Sequence, residues 1–319
     1  MIKDCLLLVD LVDITTYSHV GKNYLTVFDT PEFNVLNKSR CDELLPLLFK
    51  TPKLQFGMLA GLSGKTLKLP FSAPYSSLTL FRSHAKVIDY HNAVRNLVVF
   101  AQDNGLHRIE ITLPPAFYDP NHISTLEQAL IFNEFKPYYC DLNYHFPLST
   151  FNDSYVSNIK HQARKNLNSS LTHDLKFERC DTDGAIEQAY QVIKENRASK
   201  GYPLKMSLEN LTKTSEKVKI DYFMVSHQMN TPVAAAVCFF VKQDIVQVVY
   251  WGNLPDANYL RPMNFLSYRL FEYYKKQNIR YIDIGPSTEK GSPNFGLCDF
   301  KQSIGCIAST KYTFGIDLN

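Results

Sequence analysis

Tyr281-Ile-Asp-Ile-Gly285 and, a short way on, Asn294-Phe-Gly-Leu-Cys-Asp-Phe-Lys-Gln-Ser-Ile-Gly305 decide how this chain is read. The first run has the apolar pattern of a strand and stops at a glycine and Pro286. It opens into a polar loop with few large apolar residues, after which one lysine, Lys301, is set in a frame of aromatics and glycines. Strand ends of this kind are where α/β proteins place ligand chemistry, because loops present polar groups that a core cannot.

Working outward, the strand at 281–285 follows a helix pattern over about 264–277 closed by Asn278, and before that the strand 246–251. The same punctuation occurs earlier. A strand-like stretch at 69–75 leads to a helix pattern over 88–103, Asn104-Gly105 ends it, and the strand 108–112 stops at Pro114-Pro115. Strand, helix and strand recur about half a chain apart, with Glu110 and Asp283 at equivalent places, which predicts a duplicated α/β unit. Hairpins are expected at 54–60 with 66–69, across Gly61-Leu-Ser-Gly64, and at 233–241 with 245–251. Further helices are expected at 124–135, with Ser124 as cap and Glu127 completing a capping box, and at 185–200. The polar stretch 147–153 is the expected boundary, giving domains 1–150 and 151–319.

The 319 residues are enough for two cores. Apolar residues make up 45% and charged ones 20%, a globular composition, and a net charge of +3 gives no general electrostatic grip on nucleic acid. Seven cysteines are scattered without a CxxC pair, which reads as reduced, mostly buried thiols. Nine histidines supply no HxH or HxxxH pair, so no metal is expected. Met1 to Asp10 carries acids on both sides of a very short apolar run, unlike a signal peptide, and 233–241 is half of what a membrane helix needs; a cytoplasmic protein is expected.

Gly64-Lys65-Thr66 is not a P-loop, because Leu59 stands where the first glycine must be and a strand rather than a helix follows. No Gly-x-Ser-x-Gly elbow marks a serine hydrolase. The helical stretch 158–168 carries Lys160, Arg164 and Lys165, with Lys160 and Arg164 one turn apart; such a face holds phosphates or is simply solvated. Tyr250 and Trp251 lead into the loop 252–262, where Arg261 precedes a helix start, a place that favours anions.

Four stretches together resemble the FemABX-type branch of the GNAT acyltransferases, which includes the peptidoglycan bridge-forming aminoacyl transferases and many bacterial acetyltransferase-like proteins. They are Pro70-Phe-Ser-Ala-Pro-Tyr75, the basic His161-Gln-Ala-Arg-Lys-Asn-Leu167, the strand–loop–helix 246–270 ending in Ile282-Asp-Ile-Gly285, and Gly296-Leu-Cys-Asp-Phe-Lys301 with Ile304-Gly305. The last is similar to the family's terminal Phe-Lys-x-x-Phe-Gly signature.

The resemblance implies an α/β (α+β) architecture of two tandem GNAT-fold domains, each a mixed central sheet flanked by helices. It implies transfer of an acyl or aminoacyl group from an activated ester or thioester to an amine, expected on a cell-envelope or polysaccharide precursor. The donor is then an acyl-CoA or an aminoacyl-tRNA, so tRNA is a possible partner. Lys301 is expected to steady charge at the reacting carbonyl, with Asp283 beside it as the second catalytic residue. Ser287, Asn294, Tyr250 and Asn264 are expected to line the substrate cleft, with Arg164, Lys165 and Arg261 neutralising phosphate. Asn258-Tyr-Leu-Arg-Pro-Met-Asn264, at the place of the family's glycine-rich coenzyme A loop, contains no glycine, and no helical-hairpin arm has a counterpart. The alternative from another class is a binding or structural protein that keeps the duplicated fold without transfer chemistry.

Overall fold

The computed structural model describes residues 8–21, 23–51, 53–82, 85–202 and 204–318, so the N-terminal reading falls largely outside the described residues. The chain divides into two units, 1–141 with 309–319, and 142–308. The first unit therefore ends earlier than the expected 150/151 boundary and takes back the last residues of the sequence.

In chain order the first unit holds β1 (Leu8–Leu11), α1 (Ile14–Val20), α2 (Pro31–Leu36), β2 (Glu43–Thr51), β3 (Lys53–Ser63), β4 (Thr66–Leu69), β5 (Thr79–Leu80), α3 (Val87–Asp103), β6 (Arg108–Thr112), α4 (Pro120–Phe132) and the start of β7 (Lys136–Pro147). The second holds the end of β7, then α5 (Tyr155–Asn158), α6 (His161–Leu171), β8 (Leu175–Arg179), α7 (Asp183–Ser199), α8 (Leu208–Ser215), β9 (Ile220–His227), β10 (Thr231–Lys242), β11 (Ile245–Asn253), α9 (Pro262–Lys275), β12 (Tyr281–Pro286), β13 (Thr288–Glu289), β14 (Ser292–Pro293) and α10 (Phe295–Ser303). The closing strand β15 (Ile307–Asp317) lies mostly in the first unit.

Each unit is built on one plan. In the first, β2, β3 and β4 form an antiparallel run, α3 crosses over, and β6 returns parallel to β4. In the second, β9, β10 and β11 form the run, α9 crosses over, and β12 returns parallel to β11. The duplicated α/β unit expected from the sequence is thus present. In both units the parallel strand's outer neighbour comes from the other half of the sequence. β15 pairs antiparallel with β6, and the end of β7 pairs antiparallel with β12.

Local chemistry explains most of the element ends. Asn104 caps α3, and Gly105 takes the left-handed φ of +64° that follows such a cap. The helix expected at Ser124 starts instead at Pro120. Asp119 caps it by accepting from the His122 amide, and Pro120 fills the first helical position, a stronger start than a serine inside the turn. The strand expected over 69–75 ends at Leu69, because Pro70 and Pro74 offer no N–H to a ladder. Within 294–305, to which no element was assigned from the sequence, Phe295–Ser303 form the helix α10, with the Asn294 side chain accepting from the Leu297 amide as its cap.

The second unit's core joins Phe146, Phe223, Ala234, Ala236, Leu266, Phe271 and Ile282 among others; the first unit's joins Phe49, Phe56, Leu97, Ile109 and Phe314. Since Phe314 and the rest of β15 complete the first unit, a chain ended after Ala308 is expected to lose amide hydrogen-exchange protection at Arg108–Thr112 while β9 to β11 keep theirs. Unchanged protection of β6 would contradict this placement.

Candidate functional site

The site is built where β11 and β12 part. Their parallel ladder has three rungs, Ile245 with Tyr281, Val246 with Ile282 and Gln247 with Asp283, although β11 runs on to Asn253 and β12 to Pro286. Both strands bulge just past the last rung. β11 passes over Val249 in its register with β10, and β12 passes over Ile284 in its register with β7, with Gly285 at a φ of +73°. A bulge bends its strand and redirects its backbone groups, so two bulges together open a gap.

Each freed strand has its own holder. Along β11, Asn196 of α7 lies against Gly252, where an added Cβ would meet its Oδ1 at 2.3 Å, and its Nδ2 donates to the Asn253 carbonyl at 2.7 Å. Along β12 the holder is Lys301. It is 2% exposed, and its ammonium donates to the carbonyls of Ile284 (2.9 Å), Gly285 (2.9 Å) and Pro286 (3.0 Å). An ammonium has three N–H bonds, and all three are committed to backbone. Lys301 thus takes the place of a neighbouring strand, and none of its N–H bonds is left for a substrate carbonyl. Burial pushes its ammonium down to about 8, with the Asp283 carboxylate among the charges that resist.

Asp283, fully buried, is held from three directions. Asn143 Nδ2 donates at 2.7 Å, Gln247 Nε2 at 2.9 Å and the Gly285 amide at 2.9 Å. His145 stands on the same rung, its imidazole pushed towards the neutral form by burial and pulled back by Asp283. Asp283 therefore fixes the last rung and the turn of Gly285, and it presents no free oxygen to a substrate. Asn143, His145 and Gln247 were missed by sequence reasoning. For Gln247 the signal was a polar residue inside an otherwise apolar strand, and for Asn143 and His145 a polar residue at every second position from Asp141 along β7; buried polar groups of this kind need partners.

The other expected residues divide into two sets. Ser287 and Asn294 are brought together by the β13–β14 hairpin, the Asn294 amide donating to the Ser287 carbonyl at 2.9 Å. Ser287 is 3% exposed and its Oγ has no hydrogen-bond partner among the described residues. Tyr250 lies on β11 past the last rung, with the Arg197 guanidinium 5.4 Å over its ring. Arg261 takes a left-handed φ of +54° immediately before α9, and Asn264 sits in that helix's first turn. Arg164 and Lys165 are not at the strand ends. They lie on α6, whose start is bonded through the Lys160 amide to Ser303, the end of α10 opposite Asn294, and Arg164 donates to the Ser157 carbonyl at 3.2 Å.

No protein-family model and no curated protein matches the chain. Solved structures do. A FemX structure matches with a TM-score of 0.69 at 12% identity, over 98% of both chains. The C-terminal domain of a putative lysylphosphatidylglycerol synthetase from Agrobacterium fabrum matches with a TM-score of 0.63 at 11% identity, over 96% of this chain and 93% of that one. A tandem GNAT protein from the clavulanic acid biosynthesis pathway matches with a TM-score of 0.52 at 8% identity, over 98% and 99%. At these identities the likeness is one of fold, and the fold is the FemX-like, tandem GNAT one.

Replacing Lys301 by methionine keeps the apolar stem and strips the three carbonyls of their donor, an expected loss of about 2–4 kcal/mol in unfolding free energy. The pH dependence has a defined sign. A lysine lowered to about 8 in the fold and near its ordinary 10.5 when unfolded binds fewer protons folded than unfolded between those values. Stability then rises with pH, so wild type is expected to gain about 2 kcal/mol over Lys301→Met between pH 7 and 10. A difference that stays flat across that window contradicts the burial of this charge. Gly252→Ala, which drives a methyl into Asn196, is expected to cost about 2 kcal/mol by denaturant unfolding.

Proposed function

We propose that the chain transfers an acyl or aminoacyl group from an activated ester to an amine, with the reaction seated in the gap between β11 and β12. The observation that carries this reading is the three-rung ladder with a bulge on each side, held open by Asn196 and Lys301. A gap through a sheet lets an extended donor lie between two strands, beside backbone groups that ladder bonds would otherwise consume. The transfer itself forms a C–N bond to the acceptor amine. The carbonyl's π pair moves to its oxygen, and the tetrahedral species then expels the alcohol or thiol, which takes up the proton the amine gives away. Donors fixed in a dry cleft stabilise that oxyanion far better than water does.

The helix start beside the gap favours a donor without a diphosphate at this point. A diphosphate is held by several free amides at a helix N-terminus. Here Pro262 has no N–H, while the amides of Asn264 and Phe265 both point to the Arg261 carbonyl, at 3.1 and 3.4 Å. An aminoacyl ester of tRNA fits this loop better than an acyl-CoA. The names of the fold neighbours are in keeping with acyl and aminoacyl transfer, one being called a putative lysylphosphatidylglycerol synthetase and another a tandem GNAT protein described without AcCoA. An acceptor on a cell-envelope precursor remains part of the proposal, and no described helix is long and apolar enough to cross a membrane.

The test offers the folded protein acetyl-CoA and, separately, bulk tRNA charged with labelled amino acids, together with an extract of small amines and envelope precursors. Label is expected to leave the tRNA and appear in an amide on one acceptor. Consumption of acetyl-CoA in its place overturns the choice of donor, and consumption of neither overturns the transferase reading.

A further inference from the structure

With Lys301 committed to backbone, the group that meets the substrate carbonyl must come from elsewhere, and the geometry points to Asn264. We infer that its side-chain amide donates to the carbonyl oxygen of the activated acyl group and to the oxyanion that follows; this rests on the transferase reading above.

Asn264 occupies the first turn of a fourteen-residue helix, is 8% exposed, and is one of few polar side chains buried in α9. Its backbone is satisfied, the amide by Arg261 and the carbonyl by the Ser267 hydroxyl. Its side-chain amide makes no hydrogen bond among the described residues, yet it is not sealed from solvent. With so little exposure and no such protein partner, this amide is left to solvent until an acceptor oxygen arrives to replace it.

Helical phase says where this amide looks. Residues 264, 267 and 271 share one face of α9. Phe271 on that face stacks on Phe146 of β7 with ring centroids 3.9 Å apart, and Phe146 is paired with Ile282 of β12. Asn264 lies about 10 Å along the helix axis from Phe271. The crossover runs α9 antiparallel to β12, and about 10 Å along a strand is three residues. Three residues beyond Ile282 is Gly285, the bulged position where the ladder has already ended. The amide therefore faces the gap at the level where Lys301 gathers the carbonyls of 284 to 286.

The positive end of the α9 dipole reinforces the assignment. A first-turn amide donor at a helix N-terminus gains as negative charge develops on the acceptor oxygen, and loses little when the oxygen is a neutral carbonyl. Asn264 thus acts in the transition state more than in binding. Lys301 acts through backbone, as a positioning residue for the same gap.

The experiment uses the full-length protein with asparagine side chains labelled with nitrogen-15, the Asn264 NH2 resonance being identified by its absence in Asn264→Asp. Two probes are titrated, S-acetyl-N-acetylcysteamine as a thioester and 3′-O-alanyl-adenosine as an aminoacyl ester. At least one is expected to shift the Asn264 signal saturably. In turnover assays with acetyl-CoA and charged tRNA, Asn264→Ala and Asn264→Asp are expected to lower kcat about a hundredfold with KM for the donor little changed. Unaltered thermal unfolding of both variants keeps folding out of the comparison. Turnover at wild-type rates in both variants overturns the assignment and leaves the transferase reading standing. An unmoved signal together with no turnover by wild type overturns both.

Discussion

The ladder between β11 and β12 lets go after Gln247 and Asp283, and much of the second unit is arranged around that release. Two strands leaving a shared ladder strand a row of N–H and C=O groups, and such groups cannot be left bare in a buried place. The chain answers with side chains where a strand would have stood. Asn196 bonds the far end of β11, Lys301 gathers three carbonyls of β12, and Asp283 with Asn143 and Gln247 seals the rung at which the parting begins. The bulges at Val249 and Ile284 set the direction of the two strands, and the left-handed Gly285 supplies a backbone turn that a side-chain-bearing residue adopts only at a cost.

This arrangement gives Lys301 a task other than the expected one of steadying charge at a reacting carbonyl. Holding the gap open needs donors pointed at backbone, permanently. Stabilising a reacting carbonyl needs a donor pointed at empty space until substrate arrives. Lys301 does the first with all of its N–H bonds, and Asn264, largely buried in the first turn of α9 with its side-chain amide unspent, is the donor inferred for the second. The lowered basicity of Lys301 belongs to the first task, because it records how little water reaches the ammonium.

Much of this was legible in the residues. Periodicity and punctuation placed α3, β6, α9 and β12 to within a residue or two, and the repeat of strand, helix and strand foretold the shared plan of the units. The run 294–305 was harder. Gly296 and the polar residues weaken any helix pattern, and Asn294 as a cap is the local signal for the helix. Lys301 was expected to face a reacting carbonyl, and its actual direction was hidden, because a sequence shows a lysine and not the backbone carbonyls it meets. The exchange of β7 and β15 was equally invisible, since a strand's pattern names its faces and not its partner. Asn143 and Gln247 show the same limit from the other side, as polar residues whose partner Asp283 lies far away in sequence.

The central claim is that the sheet of the second unit is open beyond the third rung. Hydrogen-bond scalar couplings between amide nitrogens and carbonyl carbons, measured on the deuterated protein, read that ladder bond by bond. Couplings are expected to link β11 to β12 across 245–247 and 281–283, with none between the two strands from Gly285 onward. A ladder of couplings continuing through Pro286 to Tyr250 or Gly252 would close the gap and contradict that claim.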